Sequence, residues 1–223
     1  MPIIDFLSGL TAPLTTVLGH VGGDGVTWAE LLGFATGAAC VWLTVRANIW
    51  NFPVGIANNV FFLILFAGAR LYADAALQLV FLALGVHGWW QWLRGRAAGP
   101  GAAAGPVVVR RATAPTLLAL ATLLGPATWG LTELLTRAGD SAPFWDALTT
   151  ALSLAAQWLL NTRRIETWYL WIAADLVYVP LYLSKSLDLT ALVYLVFLGM
   201  CAVGLRSWRR SLATDAHTAA VPA

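Results

Sequence analysis

Long stretches without charge limit the structures this chain can form more than any other feature. Twenty-three uncharged positions lie between Arg46 and Arg70, and twenty-one lie between Arg111 and Glu133. A helix that crosses a bilayer needs about 20 largely apolar residues. Only 11% of the 223 residues are charged, against about 25% in soluble domains. The sequence therefore predicts a membrane protein, and its net charge of +2 excludes a nucleic-acid binder, which needs a broad basic surface.

Charged residues and turn residues together divide the chain into seven predicted membrane-spanning helices. These helices cover residues 28–46, 50–69, 72–93, 114–136, 144–162, 167–184 and 188–206. Residues 1–27 are apolar but contain Pro13 and two adjacent glycines, which favours a leader or an interfacial helix over an eighth span. Residues 95–143 combine a Gly- and Pro-rich linker loop with a linker helix, and residues 211–223 form a tail that we expect to be disordered.

The distribution of arginine and lysine predicts how the helices are oriented. Three basic residues fall on one side of the membrane, and the other ten fall in the loops and tail on the opposite side. Loops that carry the excess of basic residues remain in the cytoplasm. The C-terminus is therefore predicted to be cytoplasmic and the N-terminus periplasmic, provided that residues 1–27 do not cross the bilayer.

An internal repeat relates the two ends of the chain at an offset of 116 positions. Residues 41–94 match residues 157–210 at 15 of 54 positions without a gap, and Trp42, for example, falls on Trp158. The three spans of the first copy and the linker helix together cross the membrane four times. The second copy therefore starts on the same side as the first, and the two copies have the same orientation. We therefore expect an all-α membrane protein in which repeats 28–94 and 144–210 are parallel. SWEET-type sugar transporters share this plan, and their substrates bind near the midplane between the repeats.

The sixth predicted helix carries a polar and aromatic stripe at bilayer depth. Residues at steps of 3, 4, 3 and 4 fall on one helical face. They are Trp168, Trp171, Asp175, Tyr178 and Tyr182, and the matching residues of the second helix are Phe52, Gly55, Asn59, Phe62 and Phe66. A carboxylate at this depth costs about 2.5–3.5 kcal/mol. The stripe favours a cage for a flat, cationic ring, and the alternative is plain helix packing with Asp175 bonded to a neighbouring helix.

Further polar residues lie near the predicted inner ends of the helices. Asn48 and Trp50 precede the second helix, and Gln157 is near the end of the fifth. The three histidines are scattered along the chain, and Cys40 and Cys201 lie in apolar runs. This pattern predicts no catalytic residues, no metal site and no cofactor.

Three sequence runs resemble the PnuC family of nicotinamide riboside transporters. They are WNFPVGIANN at 50–59, GWWQW at 88–92 and QWLLNTRRIETW at 157–168, and the resemblance covers about residues 28–210. It implies a three-plus-one-plus-three fold and a homotrimer in the bacterial inner membrane. It also implies facilitated diffusion of nicotinamide riboside by alternating access, which phosphorylation inside the cell makes directional.

The residues of the stripe suit such a ligand. Trp168, Trp171 and Tyr178 suit the ring, and polar groups suit its amide and hydroxyls. The complete set of candidate binding residues is Asn48, Trp50, Asn59, Gln157, Trp168, Trp171, Asp175 and Tyr178. Family members that resemble this chain but carry thiamine or deoxynucleosides leave the substrate open. An intramembrane enzyme that uses Asp175 with Glu166 or Glu133, and a small-molecule sensor or scaffold, are the more distant alternatives.

Overall fold

Helices make up nearly all of the chain that the structure describes. The computed structural model describes residues 9, 12–21, 24–68, 72–97 and 108–220. Between residues 28 and 220, seven α-helices lie in these ranges. They are α1 (Trp28–Val45), α2 (Asn51–Gly68), α3 (Tyr72–Ala97), α4 (Ala114–Ala138), α5 (Pro143–Asn161), α6 (Thr167–Ser184) and α7 (Asp188–Ala220).

The helices begin within one residue of the positions expected from the sequence, and the largest difference is at the C-terminus. Helix α7 continues to Ala220, where a disordered tail was expected from residue 211. No glycine or proline lies between Gly204 and Pro222, and the segment is rich in alanine, which has the highest helix propensity. Nothing in the local sequence therefore stops the helix where its apolar part ends.

A β-hairpin precedes the first helix, in place of the interfacial helix that was one expectation for residues 1–27. A 3-10 helix at Ala12–Thr15 leads into strand β1 (Val17–Val21), which pairs antiparallel with β2 (Asp24–Thr27). Thr27 then caps α1, because its hydroxyl accepts from the Glu30 backbone N–H while its own N–H donates to the Glu30 carboxylate at 2.9 Å. This reciprocal capping fixes where α1 begins. Residues 1–11, apart from Gly9, lie outside the described residues.

Four of the described helices are long and apolar enough to cross a membrane. They are α1, α2, α4 and the Asp188–Thr214 part of α7. Helix α6 is not among these four, and it carries Asp175 together with two tryptophans and three tyrosines. The described chain is thus a mostly helical, multi-pass membrane protein.

Each half of the bundle is built from helices that are neighbours in sequence. Helix α2 packs between α1 and α3, and α6 packs between α5 and α7. The halves meet where α1 packs against α7 and where α3 packs against α5, while α4 packs against α5. The 116-residue offset relates α1 to α5 and α3 to α7, so the α1–α7 contact and the α3–α5 contact correspond to each other.

Side-chain contacts repeat at the offset of 116 residues found in the sequence. The Trp92 indole donates to the carbonyl of Leu160 at 3.2 Å, and the Trp208 indole donates to the carbonyl of Thr44 at 3.1 Å. The two bonds are equivalent at this offset, because Trp92 corresponds to Trp208 and Thr44 corresponds to Leu160. Each bond joins the two halves. Trp92 and Trp208 are almost fully buried, so these two bonds connect the halves in the core.

The turns that follow α1 and α5 also have the same backbone. Ala47 and Arg163, which are 116 positions apart, both adopt positive φ, at 48° and 60°. After the first turn, Asn48 N–H donates to the Leu43 carbonyl at 2.9 Å, and after the second, Arg164 N–H donates to the Leu159 carbonyl at 2.8 Å. Neither turn uses glycine, so both hold a non-glycine residue in the left-handed region.

The segment before α4 is attached to the second of these turns. Arg110 pairs with the chain at 163–165 through two backbone bonds, and the Ala112 N–H donates to the Glu166 carboxylate at 2.8 Å. Arg163 lies beside this segment, where burial lowers the pKa of its guanidinium and the neighbouring Arg110 and Arg164 act in the same direction. The linker is therefore connected to one half of the bundle.

Candidate substrate site

Helix α6 positions the polar and aromatic stripe in the second half of the bundle. It starts directly after the turn at 162–166, where the buried Thr167 hydroxyl donates to the Ala156 carbonyl of α5 at 2.8 Å. Its buried face includes Trp168, Ala174 and Asp175. Pro180 lies inside the helix, five residues after Asp175. The stripe expected from the sequence is therefore turned toward the neighbouring helices at Trp168 and Asp175.

Asp175 is a buried carboxylate without a cationic partner. Its side chain is 4% exposed, and its hydrogen-bond donor is the Cys201 thiol of α7 at 3.6 Å. Within the described ranges, no lysine, arginine or histidine forms an ion pair with it. Because a buried charge is costly unless it is paired, this carboxyl group is suited to a ligand that brings a positive charge or hydrogen-bond donors.

The Trp168 indole supplies an unsatisfied polar group on the same helix. Trp168 is buried against Trp208 in an edge-to-face contact with ring centroids 5.5 Å apart, yet its Nε1 has no hydrogen-bond partner among the residues that the structure describes. Leaving such a donor unpaired costs about 1–3 kcal/mol. Trp171 packs against the cluster that contains Trp168 and Cys201. Trp168 and Trp171 therefore belong to the same packed region as Cys201, and an acceptor on a ligand would satisfy the free N–H.

Three tyrosines extend the site along α6 and α7. The Tyr178 ring lies 4.5 Å from Tyr194 and stacks on Tyr182 at 5.6 Å, and Tyr182 stacks on Tyr194 at 5.2 Å. The Tyr178 hydroxyl interacts with Thr149 and Ser153 of α5. This tyrosine cluster joins three helices and forms an aromatic wall on the C-terminal side of Asp175.

The equivalent face of α2 is less polar. Asn59, at the position that matches Asp175, is half-buried, and its side chain makes no hydrogen bond within the part of the chain that the structure describes. Its neighbour Asn58 instead bridges to α1, where its Nδ2 donates to the Gly33 carbonyl at 3.2 Å and the Thr36 hydroxyl at 2.6 Å. Phe62 and Phe66 stack at 5.5 Å, where α6 has Tyr178 and Tyr182.

The remaining candidate residues lie in other places. Asn48 and Trp50 are exposed in the turn between α1 and α2, where the Asn48 side chain accepts from the Trp50 N–H at 3.0 Å. Gln157 donates to Asn161 at 3.0 Å, and Asn161 donates to the Leu84 carbonyl of α3 at 2.8 Å. No hydrogen bond joins these three candidates to Asp175. The other four candidates, Trp168, Trp171, Asp175 and Tyr178, follow one another along α6.

Several residues at this site were not among the candidates chosen from the sequence. Cys201, Tyr194, Thr149 and Ser153 lie on α5 and α7, and they contact the stripe from the side. Of these four residues, Tyr194 alone had a signal in the sequence, because it corresponds to the polar residue Gln78 at the 116-residue offset. Small hydroxyl and thiol residues within apolar helices show no periodicity that distinguishes them from ordinary packing residues.

The arrangement offers binding groups and no recognisable catalytic set. Within the described residues, no group of three or more His, Cys, Asp or Glu side chains could hold a metal ion. A cavity of about 570 Å³ opens along the C-terminal half of α6, lined in part by Trp145, Leu176, Pro180 and Lys185. Lys185 forms a salt bridge with Asp146 at its edge, at 3.4 Å.

A multi-pass helical bundle with buried aromatic and polar groups is compatible with a small-molecule transporter. The family model described as nicotinamide mononucleotide transporter matches residues 27–210, and the chain belongs to this family. The resemblance to PnuC proteins that the sequence runs indicated is thereby confirmed. Membership also confirms the prediction of a transporter and not an enzyme.

Individual relatives agree with this assignment. The chain is 24% identical to the nicotinamide riboside transporter PnuC of Escherichia coli (strain K12), with 93% of this chain and 95% of that protein covered. It is 28% identical to the riboflavin/roseoflavin transporter RibM of Streptomyces davaonensis, with 82% and 85% covered. A crystal structure of the vitamin B3 transporter PnuC superposes with a TM-score of 0.69 at 21% identity, covering 95% of this chain and 90% of that one. The last similarity establishes a shared fold.

Proposed function

We propose that this protein carries nicotinamide riboside across the bacterial inner membrane by facilitated diffusion. The observation that carries the proposal is Asp175, a buried carboxylate that forms no ion pair with any described residue. It lies on the same face of α6 as Trp168, Trp171 and Tyr178. Nicotinamide riboside has a flat ring with a permanent positive charge. An aromatic face attracts such a cation by about 0.5–2 kcal/mol, and a carboxylate adds a counter-charge.

The other groups of the site suit the rest of this ligand. The unsatisfied Trp168 Nε1 would donate to the amide oxygen or to a ribose hydroxyl. The Tyr178 hydroxyl and Asn59 would bind the remaining polar atoms from opposite halves of the bundle. The exposed Asn48 and Trp50, and Gln157, which is bonded to Asn161, belong in this proposal to the entrance on the arginine-rich side and not to the central site.

The proposed architecture is two parallel three-helix repeats, 28–94 and 144–210, joined by the linker segment 95–143. Seven spans arranged as three plus one plus three would place the site between the repeats near the midplane. The reciprocal Trp92 and Trp208 bonds and the two matching turns support this arrangement. Alternating access would then come from rocking one repeat against the other.

The assembly and orientation are part of the same proposal. The excess of arginine on one side supports a cytoplasmic C-terminus and a periplasmic N-terminus. We propose a homotrimer, which native mass spectrometry of the purified protein would test directly. A cysteine introduced near the C-terminus should react with an impermeant thiol reagent only after the cells are opened.

Riboflavin is the second candidate substrate, because the RibM relative has the higher identity of the two named above. Its ring system is flat but neutral, so stacking on Trp168 and Trp171 would bind it without help from a counter-charge. Thiamine, in contrast, resembles nicotinamide riboside in combining aromatic rings with a positive charge. The role of the Asp175 charge therefore separates the cationic substrates from the neutral one.

Uptake into proteoliposomes tests the proposal. Liposomes without ATP or an ion gradient should accumulate radiolabelled nicotinamide riboside up to the outside concentration, and riboflavin, thiamine and deoxynucleosides should be taken up more slowly. Asp175→Asn should reduce this uptake about tenfold or more, because it removes a charge-assisted contact. Glu133→Gln is the matched control, since Glu133 is an exposed carboxylate on α4. Faster riboflavin uptake that is insensitive to Asp175→Asn would favour the second candidate, and uptake of none of these compounds would reject the proposal.

A further inference from the structure

A cavity of about 710 Å³ lies at the arginine-rich end of the bundle, between the end of α1 and the middle of α7. Three arginines, Arg46, Arg206 and Arg210, line it together with hydroxyl groups and the Trp42 ring. The lining hydroxyls belong to Ser207, Ser211 and Thr214. No acidic residue is among the described residues that line this arginine cavity.

The arginines are arranged around the cavity in a specific way. The Arg46 guanidinium lies 5.0 Å from the centre of the Trp42 ring, which holds it at the wall. The neighbouring Arg209 does not contribute, because it donates to the Tyr169 hydroxyl at 2.7 Å on another side of α7. Arg206 and Arg210 are one helical turn apart, so they are on the same face of α7.

The matching groove in the other half of the bundle is filled. Trp158, which matches Trp42, stacks on His87 at 6.0 Å, and His87 is bonded to Gln91 at 3.1 Å. Trp90 and Arg94, which match Arg206 and Arg210, cover each other at 3.8 Å. Two aromatic rings, an imidazole, an amide and an arginine thus occupy the space between α3 and α5.

Three differences between the repeats distinguish the arginine cavity from the matching groove. Val203 and Ser207 stand at the positions of His87 and Gln91, and they are too small to reach Trp42 in the way that His87 reaches Trp158. Arg206 replaces Trp90, so the groove between α1 and α7 gains a charge where the other groove has a ring. The space and its positive lining therefore come from the same few residues.

We propose that the arginine cavity binds a phosphate group. Guanidinium forks match phosphate oxygens in bidentate geometry, and the Ser207 hydroxyl can donate to a remaining oxygen. The exposed Trp42 ring offers an apolar surface for whatever carries the phosphate. Two sources fit this chemistry, an anionic lipid headgroup at the membrane surface and a soluble phosphate compound. The cavity is independent of the Asp175 site, so the proposal does not depend on the identity of the transported substrate.

Two binding measurements on the purified full-length protein distinguish the sources. Native mass spectrometry with phosphatidylglycerol and phosphatidylcholine reports lipid binding, and calorimetric titration with inorganic phosphate, against chloride at equal ionic strength, reports soluble phosphate. Preferential retention of phosphatidylglycerol without a response to inorganic phosphate would identify the lipid source, and the reverse would identify the soluble one. Binding in neither measurement would overturn the proposal.

Three variants connect the binding to this cavity. Arg206→Gln combined with Arg210→Gln should weaken binding about tenfold or more. The matched control Arg94→Gln makes the same change at the equivalent position of the filled groove and should leave binding unchanged. Val203→His combined with Ser207→Gln keeps all three arginines but fills the space, so it should also abolish binding. Equal weakening by Arg94→Gln, or full binding after the cavity is filled, would show that general surface charge attracts the phosphate and would overturn the proposal.

Discussion

Helices α2 and α6 are related by the 116-residue offset, and each packs between its two neighbours in sequence, but they differ in chemistry along their length. At their first turns they are alike: Phe52 lies edge-on to Trp92 at 5.0 Å, and Trp168 lies edge-on to Trp208 at 5.5 Å. Further along, α2 has asparagine and phenylalanine where α6 has aspartate and tyrosine. The comparison indicates that the ends that join the two halves are kept alike, while the polar binding groups are concentrated in the second half.

The largest expected effect tests whether the joining ends are equivalent. Trp92→Ala and Trp208→Ala should each lower the free energy of unfolding by about 3–5 kcal/mol, since each removes a buried indole and its bond across the halves. Denaturant titration in detergent micelles measures both losses. Trp50→Ala is the control, because Trp50 is 64% exposed, and its effect should be close to zero. Losses that differ by more than about 2 kcal/mol between the two variants would contradict the equivalence.

A somewhat smaller effect is expected at the two glycines that accommodate these rings. A Cβ at Gly88 would overlap Phe52 and Asn161, and a Cβ at Gly204 would overlap the Trp168 ring. Gly88→Ala and Gly204→Ala should therefore each cost about 1–3 kcal/mol through overpacking, measured in the same titration. Gly130, which has nothing within 4 Å of such a Cβ, supplies the control, and Gly130→Ala should be neutral or slightly stabilising. A neutral Gly204→Ala would show that Trp168 is free to move.

The faces of α2 and α6 beyond these ends should differ in how much they contribute to ligand binding. Trp171→Ala should weaken binding of nicotinamide riboside about tenfold, a little over 1 kcal/mol, because the ring would lose a stacking surface. Phe66→Leu, at the outer end of the equivalent face of α2, should leave binding nearly unchanged. Calorimetric titration of the purified protein measures both. Similar losses from the two changes would indicate that the halves contribute equally to the site.

The smallest expected effect concerns the linker, which is attached to the second half through Glu166. Glu166→Gln should cost about 1 kcal/mol or less, because it weakens one charge-assisted bond to the Ala112 N–H at a half-exposed place. Hydrogen exchange at Ala112 should become faster, with little change in the core of α5. Unchanged exchange would show that the backbone pairing of Arg110 alone holds the linker.

Charge spacing was sufficient to predict the helices, because charged residues separate the apolar runs that form them. The start of α6 at Thr167 and its end at Ser184 were both predicted, since Glu166 and Lys185 flank an apolar run with one acidic residue. The hairpin at 17–27 was not predicted, because its pairing is a contact between segments and not a property of either one. The C-terminal extent of α7 was not predicted, because apolar content indicates which part of a helix lies in the membrane and does not indicate where the helix ends.

The binding stripe was predictable only from α6 itself. Its 3–4 periodicity located Trp168, Trp171, Asp175 and Tyr178 on one helix. The groups that complete the site, such as Cys201 and Ser153, come from other helices, and which helix faces α6 depends on packing. The same limit applies to Asn58 and Asn59, since the sequence does not indicate which of two adjacent asparagines is used in bonding to α1.

Pro180 has a consequence for how the molecule deforms. A proline lacks the N–H that would bond to the carbonyl of Leu176, and its ring strains the preceding turn, so α6 bends there more readily than an uninterrupted helix. The matching position of α2 is Ile64, which keeps its bond. Helix α6 is therefore more flexible than α2 at this position. A substrate that leaves past the tyrosine cluster would meet a barrier set by the bending of α6 alone.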